Sequence, residues 1–152
     1  MQSSRTSKPM RRYIEVPMQL LDIEGEGFHV MVKGVIHDKE ANFLIDTGAS
    51  RSVFDPTTIS NFIENLQFEP KEGMTAGVGS SDLESATFII DSLAFGNLEI
   101  HDYEAVALDL SNIHEMYSKL GLPKIDGILG GDLLKRYKAV INYRSKKLRL
   151  TP

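Results

Sequence analysis

The side chains best placed to do chemistry stand together in Phe43-Leu44-Ile45-Asp46-Thr47-Gly48-Ala49-Ser50, with Arg51 next. Asp46 follows an apolar run, so its carboxylate sits where a strand would leave a core. Gly48 lets the backbone turn sharply and brings main-chain N–H groups towards that carboxylate. Thr47 and Ser50 add hydroxyls. A rigid, partly buried carboxylate ringed by donors is the setting in which an aspartate takes up acid–base work. On those three residues alone, an ordinary Asx-turn at a strand end is the favoured reading of Asp46-Thr47-Gly48, and only their context reverses it.

Other chemistries find little support. Cysteine is absent, which removes disulfides, thiolate nucleophiles and Cys-ligated zinc. His29, His37, His101 and His114 show no paired ligand spacing, so no metal site is expected and no cofactor is implied. Ala76-Gly77-Val78-Gly79-Ser80 is glycine-rich, but no Gly-Lys-Ser/Thr follows and the dinucleotide spacing is not met. Arg144, Lys146, Lys147 and Arg149 read as a solvated basic hairpin. The net charge of -4 argues against nucleic acid as the main partner. No apolar stretch is long enough for a membrane span, and none follows the basic N-terminus as in a signal peptide. A cytoplasmic protein is expected.

The elements that must position Asp46 follow from periodicity and punctuation. The 152 residues, 41% of them hydrophobic, suit one domain with one modest core. Residues 1–12 form a flexible tail ahead of a domain spanning 13–152. Tyr13 to Leu21 is strand-like, with Pro17 demoting it to an edge or interrupted strand. Gly25 and Gly27 mark a turn, and Phe28 to Ile36 alternates as a strand. His37 to Glu40 turns into a further strand, Asn42 to Ile45, which delivers Asp46. Asp55 caps a helix with Pro56 at its first position and Ile59, Phe62, Ile63 and Leu66 on one face. Strands follow at Thr87 to Leu93 and Leu98 to Leu108, then a helix from Ser111 to Leu120 with Ile113, Met116, Tyr117 and Leu120 on one side. Ile125 to Gly130 is a glycine-bounded apolar run, Asp132 to Tyr137 a short helix, and Ala139 to Tyr143 and Lys147 to Thr151 the last strands. The sum is a mainly-β, barrel-like domain with two or three short helices.

Phe43 to Ser50 resembles the active-site signature of the retropepsin-like aspartic proteases: an apolar run, Asp-Thr/Ser-Gly, then Ala or Ser. Ile128-Leu129-Gly130 followed by Asp132-Leu133-Leu134 resembles the family's second signature, two apolar residues and a glycine leading into a short helix. A glycine-containing hairpin, as the family's flap requires, is available between them at Thr75 to Ser81. Two departures are Ser50 and Gly131, where the compact retroviral enzymes often carry a paired Asp and Arg. The stretch Leu98 to Leu122 is also longer than in those forms.

The resemblance implies a single-lobe acid-protease-like closed barrel. The chemistry needs two facing carboxylates sharing one proton, and this chain has one Asp-Thr-Gly. A symmetric homodimer is therefore implied, with terminal strands Tyr13 to Leu20 and Leu148 to Thr151 as candidates to tie it. The implied catalytic residues are Asp46, Thr47 and Gly48, with Thr47 bonding across the dimer. Ala49, Ser50 and Arg51 would line the cleft floor, and Ala76, Gly77, Val78 and Gly79 would close over substrate. The implied activity is endopeptidase cleavage of a peptide or unfolded protein. The alternative is a catalytically silent peptide-binding or assembly module on the same fold.

Overall fold

The computed structural model describes residues 12–70 and 86–152. The glycine hairpin expected as a flap at Ala76, Gly77, Val78 and Gly79 lies outside the described residues. Strand β1 (Ile14–Asp22) turns through Glu24, Gly25 and Gly27, all at positive φ, into β2 (Phe28–Ile36). His37 and Asp38 make a two-residue turn with φ of 47° and 69°, the left-handed geometry that suits the twist of a tight hairpin, and β3 (Lys39–Ile45) returns from it. Then come β4 (Val53–Phe54), helix α1 (Pro56–Ile59) and β5 (Glu69–Pro70). A long hairpin of β6 (Ala86–Phe95) and β7 (Leu98–Ala107) leads to α2 (Ser111–Lys119), β8 (Gly127–Leu129), α3 (Gly131–Arg136), β9 (Val140–Asn142) and β10 (Lys147–Leu150).

Six strands close a barrel. Their order is β2-β3-β8-β4-β7-β6, and β6 returns to β2 through Val35 opposite Ala94 and Ile36 opposite Leu93. β5 extends from β6, and β1, β10 and β9 extend in that order from β2. Pairing is antiparallel except at β3–β8 and β4–β7. Those two parallel contacts bring distant parts of the chain together at one end of the barrel.

Both faces of the β3–β8 pair are covered, which explains their unbroken apolar sequences. Phe43 points inward, its ring edge-on to Phe95 at 5.0 Å and Phe54 at 5.8 Å, and Phe54 meets Phe88 at 5.8 Å. Leu44 and Ile128 point outward into a second cluster with Leu21, Met31, Leu110, Ile125 and Tyr117 of α2. The segment that looked long in the sequence thus roofs the outer face of the strand pair carrying Asp46. Gly127 is required by close approach, since a Cβ there would come within 2.8 Å of the Phe54 ring.

Several elements differ from expectation. Pro17 does not interrupt β1; it marks the point where the strand changes partners. Ile14–Pro17 pairs with β10 and Met18–Asp22 with β2. The helix capped by Asp55 stops at Ile59 rather than running to Leu66. Asp55 Oδ1 accepts the N–H groups of Thr57 (2.9 Å) and Thr58 (3.0 Å) as expected. After that, three consecutive β-branched residues and the Ser60 hydroxyl bonded back to the Pro56 carbonyl (2.8 Å) give the helix little reason to continue. On α2 the apolar side is narrower than the spacing suggested: Tyr117 is buried, but Met116 is 39% exposed because only part of that face meets the barrel. Among the described residues no helix is long and apolar enough to cross a membrane.

Phe43→Ala removes the ring at the centre of this aromatic chain. It should cost about 3–5 kcal/mol of unfolding free energy in a urea titration.

Candidate active site

The parallel register of β3 against β8 sets Phe43 opposite Gly127, Leu44 opposite Ile128 and Ile45 opposite Leu129. The two sequence signatures therefore lie side by side and end together. Just beyond, the Asp46 N–H donates to the Leu129 carbonyl at 3.0 Å. The chain then crosses over the end of β8 to reach β4, which pairs antiparallel with β8 on its other side. Asp46 emerges at the mouth of the barrel with its backbone held on both sides.

Helix α3 starts directly beneath this loop. Gly130 has no side chain to cap it, and the loop supplies acceptors instead: Gly131 N–H donates to the Ala49 carbonyl (2.7 Å) and Asp132 N–H to the Ser50 carbonyl (3.1 Å). Two of the helix's free N–H groups are satisfied by the aspartate loop itself. Contact is close enough that a Cβ on Gly130 would lie 2.6 Å from the Arg51 carbonyl oxygen. That is the physical reason for a glycine in the second signature.

Asp46 is exposed in the single chain, not partly buried. Among the described residues its side chain takes one internal hydrogen bond, from Gly48 N–H to Oδ1 at 2.9 Å. Gly48 does not adopt a left-handed conformation. Its value is room, because a Cβ would stand 3.3 Å from Asp46 Oδ1. Thr47 and Ser50 are exposed beside it, and Ala49 is half-buried. Arg51 turns away from Asp46: its Nη2 donates to the Glu104 carbonyl of β7 at 3.0 Å, and its Nε lies 3.4 Å from Asp132 Oδ2.

Asp132 is the residue that sequence reasoning passed over, having read it only as the start of a short helix. Its Oδ1 accepts both the N–H and the hydroxyl of Ser52, each at 2.8 Å, and its Oδ2 accepts the Tyr103 hydroxyl. The Ser52 hydroxyl oxygen in turn accepts Gly130 N–H at 2.9 Å. Burial alone pushes the Asp132 carboxyl up, but the donors from Tyr103, Ser52 and Leu133 outweigh it and hold the group below its ordinary 3.8. Burial and the adjoining carboxylate drive the Tyr103 hydroxyl well up, so it stays a protonated donor. This network ties together the aspartate loop, β7 and α3, where the compact retroviral pattern has the Asp–Arg pair that Ser50 and Gly131 lack.

A recess of about 330 Å³ adjoins Asp46, lined by Phe28, His29, Leu44, Ile45, Ile113 and Tyr143. His29 Nδ1 is 2.5 Å from the hydroxyl of the buried Tyr117, whose pKa burial raises to about 12. Nothing in the sequence connected Phe28, Ile113 and Tyr143 to the site, because they arrive from three separate elements. Among the described residues no cluster of His, Asp and Glu forms a metal site.

Two outcomes follow for stability. Asp132→Ala strands the Ser52 and Tyr103 donors and should cost about 2–4 kcal/mol in a denaturant titration. Asp132 and Asp55 both ionise more readily folded than unfolded, so they stabilise the protein above the ordinary carboxylate range and lose that effect as pH falls through it. Asp126, raised by burial, works in the opposite sense. The melting temperature should therefore drop between about pH 5 and about pH 3, and Asp132→Asn should flatten that slope.

Comparison with known proteins agrees with this geometry. A family model described as aspartyl protease matches residues 32–133, more than half of the chain, and the matched span holds both Asp46 and Gly130. No curated protein matches the chain. Among solved structures, a retropepsin-like aspartic protease from Rickettsia conorii superposes with a TM-score of 0.56 at 18% identity, over 91% of this chain and 89% of that one. The retroviral protease-like domain of Ddi1 from Leishmania major gives 0.51 at 16% identity, over 79% and 86%. EIAV protease in complex with an inhibitor gives 0.52 at 22% identity, over 80% and 99%. The chain belongs to the aspartyl protease family, and its barrel is retropepsin-like in fold.

Proposed function

We propose that the protein is an aspartic endopeptidase whose catalytic unit is a homodimer, with Asp46 of one protomer meeting the partner's Asp46. The observation that carries this reading is the state of Asp46 in the single chain. Its backbone is fixed, while among the described residues its exposed carboxylate has one internal donor and no second carboxylate beside it. A second copy would supply the missing half.

Two carboxylates in contact cannot both ionise, so the pair holds one proton. The ionised member takes a proton from a bound water as its oxygen attacks the scissile carbonyl carbon. The protonated member gives its proton to the carbonyl oxygen, yielding a neutral tetrahedral diol. Collapse delivers a proton to the amide nitrogen and breaks the C–N bond, restoring the shared proton. The step needs neither cofactor nor covalent intermediate. Gly48 leaves space beside the carboxylates for the water and the substrate backbone. Thr47, exposed at the same edge, would bond across the dimer, and Ala49 and Ser50 would form the cleft floor. Arg51 would contribute from behind that floor through its contacts with Asp132 and Glu104. Ala76, Gly77, Val78 and Gly79 would cover the bound peptide.

The test is cleavage of an unfolded protein by wild type and Asp46→Asn across acidic and neutral pH. Asp46→Asn should lose all activity above background. Equal cleavage by both would exclude Asp46 from the reaction, and binding without cleavage by wild type would favour a silent peptide-binding module. Ala49 offers no hydroxyl where pepsin-like enzymes have Ser, so the activity optimum should be less acidic than a digestive pepsin's. A sharp optimum near about pH 2 would refute that difference.

A further inference from the structure

We propose that the recess beside Asp46 selects tyrosine, with His29, held by Tyr117, hydrogen-bonding the phenol of a substrate side chain next to the cut bond. The proposal rests on the reading of Asp46 as the catalytic carboxylate and names the residue chosen beside it. His29 stands opposite Leu21 of β1 and two residues before Met31, so it shares their outer face, under α2. Its ring lies 5.7 Å from that of Tyr117, and the 2.5 Å contact from Nδ1 to the Tyr117 hydroxyl fixes the imidazole. Among the described residues, Nε2 has no hydrogen-bond partner.

The rest of the recess is apolar. Phe28 and Tyr143, 58% and 57% exposed, offer ring surface, and Leu44, Ile45 and Ile113 add aliphatic walls. Such walls alone accept any bulky side chain. The imidazole adds a demand, because a side chain that fills the recess without a polar tip leaves Nε2 dry and unpaired. If the Tyr117 hydroxyl donates to Nδ1, Nε2 carries the proton and donates; if Nδ1 donates to the hydroxyl, Nε2 accepts. A phenol O–H does both, so tyrosine satisfies either tautomer while its ring matches the aromatic walls. Glutamate and glutamine bring no ring, the tryptophan N–H only donates, and phenylalanine has no polar tip.

Helix α2 supplies two of these parts. Ile113 forms one wall, and Tyr117, 1% exposed, reaches no substrate itself but positions His29. The helix is fastened in turn to the strand pair that carries Asp46. His114 Nε2 donates to the Ile125 carbonyl at 2.7 Å, and the Leu122 N–H donates to the Tyr117 carbonyl at 2.9 Å. An imidazole held in this way is already oriented before a side chain enters, so binding costs little further ordering.

The experiment measures kcat/KM of the full chain on peptides that differ only in Tyr or Phe beside the cut bond. Wild type should favour tyrosine by about tenfold. His29→Leu should erase that preference, and so should Tyr117→Phe, which keeps the packing ring and releases the imidazole. Met116→Ala, on the same helix but outside the recess, should retain it. A second arm measures binding of Asp46→Asn to two blocked hexapeptides, identical except for a central Tyr-Tyr or Phe-Phe. The tyrosine peptide should bind about tenfold tighter. Asp46-dependent cleavage without a tyrosine preference, or with one that survives His29→Leu, overturns the recess and leaves the protease standing. A tyrosine preference in binding, in a chain that cuts nothing, supports the recess and removes the catalytic reading. A chain that neither cuts nor binds either peptide overturns both.

Discussion

Three parallel pairs between β3 and β8 govern where everything else at the site can be. They place the aspartate loop over the start of α3, so that the Asp46 N–H, the Ala49 carbonyl and the Ser50 carbonyl all find backbone partners in the second signature. The carboxylate's position is thus set by main-chain hydrogen bonds rather than by the side chains around it. Backbone geometry of this kind places few demands on sequence beyond small residues at the closest approaches. That fits a barrel shared with solved proteases at 16–22% identity.

Where side chains do matter, they act from below. Asp132 gathers Ser52, Tyr103 and Arg51, and Ser52 passes the connection on to Gly130. Donors from Ser52 and Tyr103, brought in from distant segments, and from neighbouring Leu133 meet that carboxylate, which is why it stays ionised despite burial. The aromatic chain from Phe95 through Phe43 and Phe54 to Phe88 backs the same strands from inside the barrel, while Tyr117 of α2 covers them from outside. The aspartate loop is braced because it is held on three sides.

Much of this could be read from sequence, and for identifiable reasons. Phe28 to Ile36 and the Asp55 cap are local features, each fixed by a few neighbouring residues whose chemistry is unambiguous. Asp46 and Gly130 were recognisable because each sits in its own apolar context. What did not show was pairing at long range: the change of partner at Pro17, the capture of β10 by β1 and β9, and the convergence of Phe28, Ile113 and Tyr143 beside Asp46. Asp132 was invisible for the same reason, since its partner Ser52 lies 80 residues away. Helix length at α1 failed differently. An apolar period continued past Ile59, but local hydrogen bonds at Ser60 and β-branching ended the helix first.

The long reach of these contacts also has a temporal side. The bonds from Ser52 to Asp132 and from Gly130 to Ser52 close loops of 80 and 78 residues, and the Asn42–Asp126 bond closes one of 84. Closing such loops is slow compared with forming the hairpins at His37-Asp38 and Gly96-Asn97. On a ribosome, β3 emerges long before β8 exists to receive it, so Asp46 first appears on an unfinished barrel. The aspartate loop can acquire its native shape only once α3 has left the exit tunnel. A nascent chain consequently carries Asp46 for a time without the backbone partners that fix it.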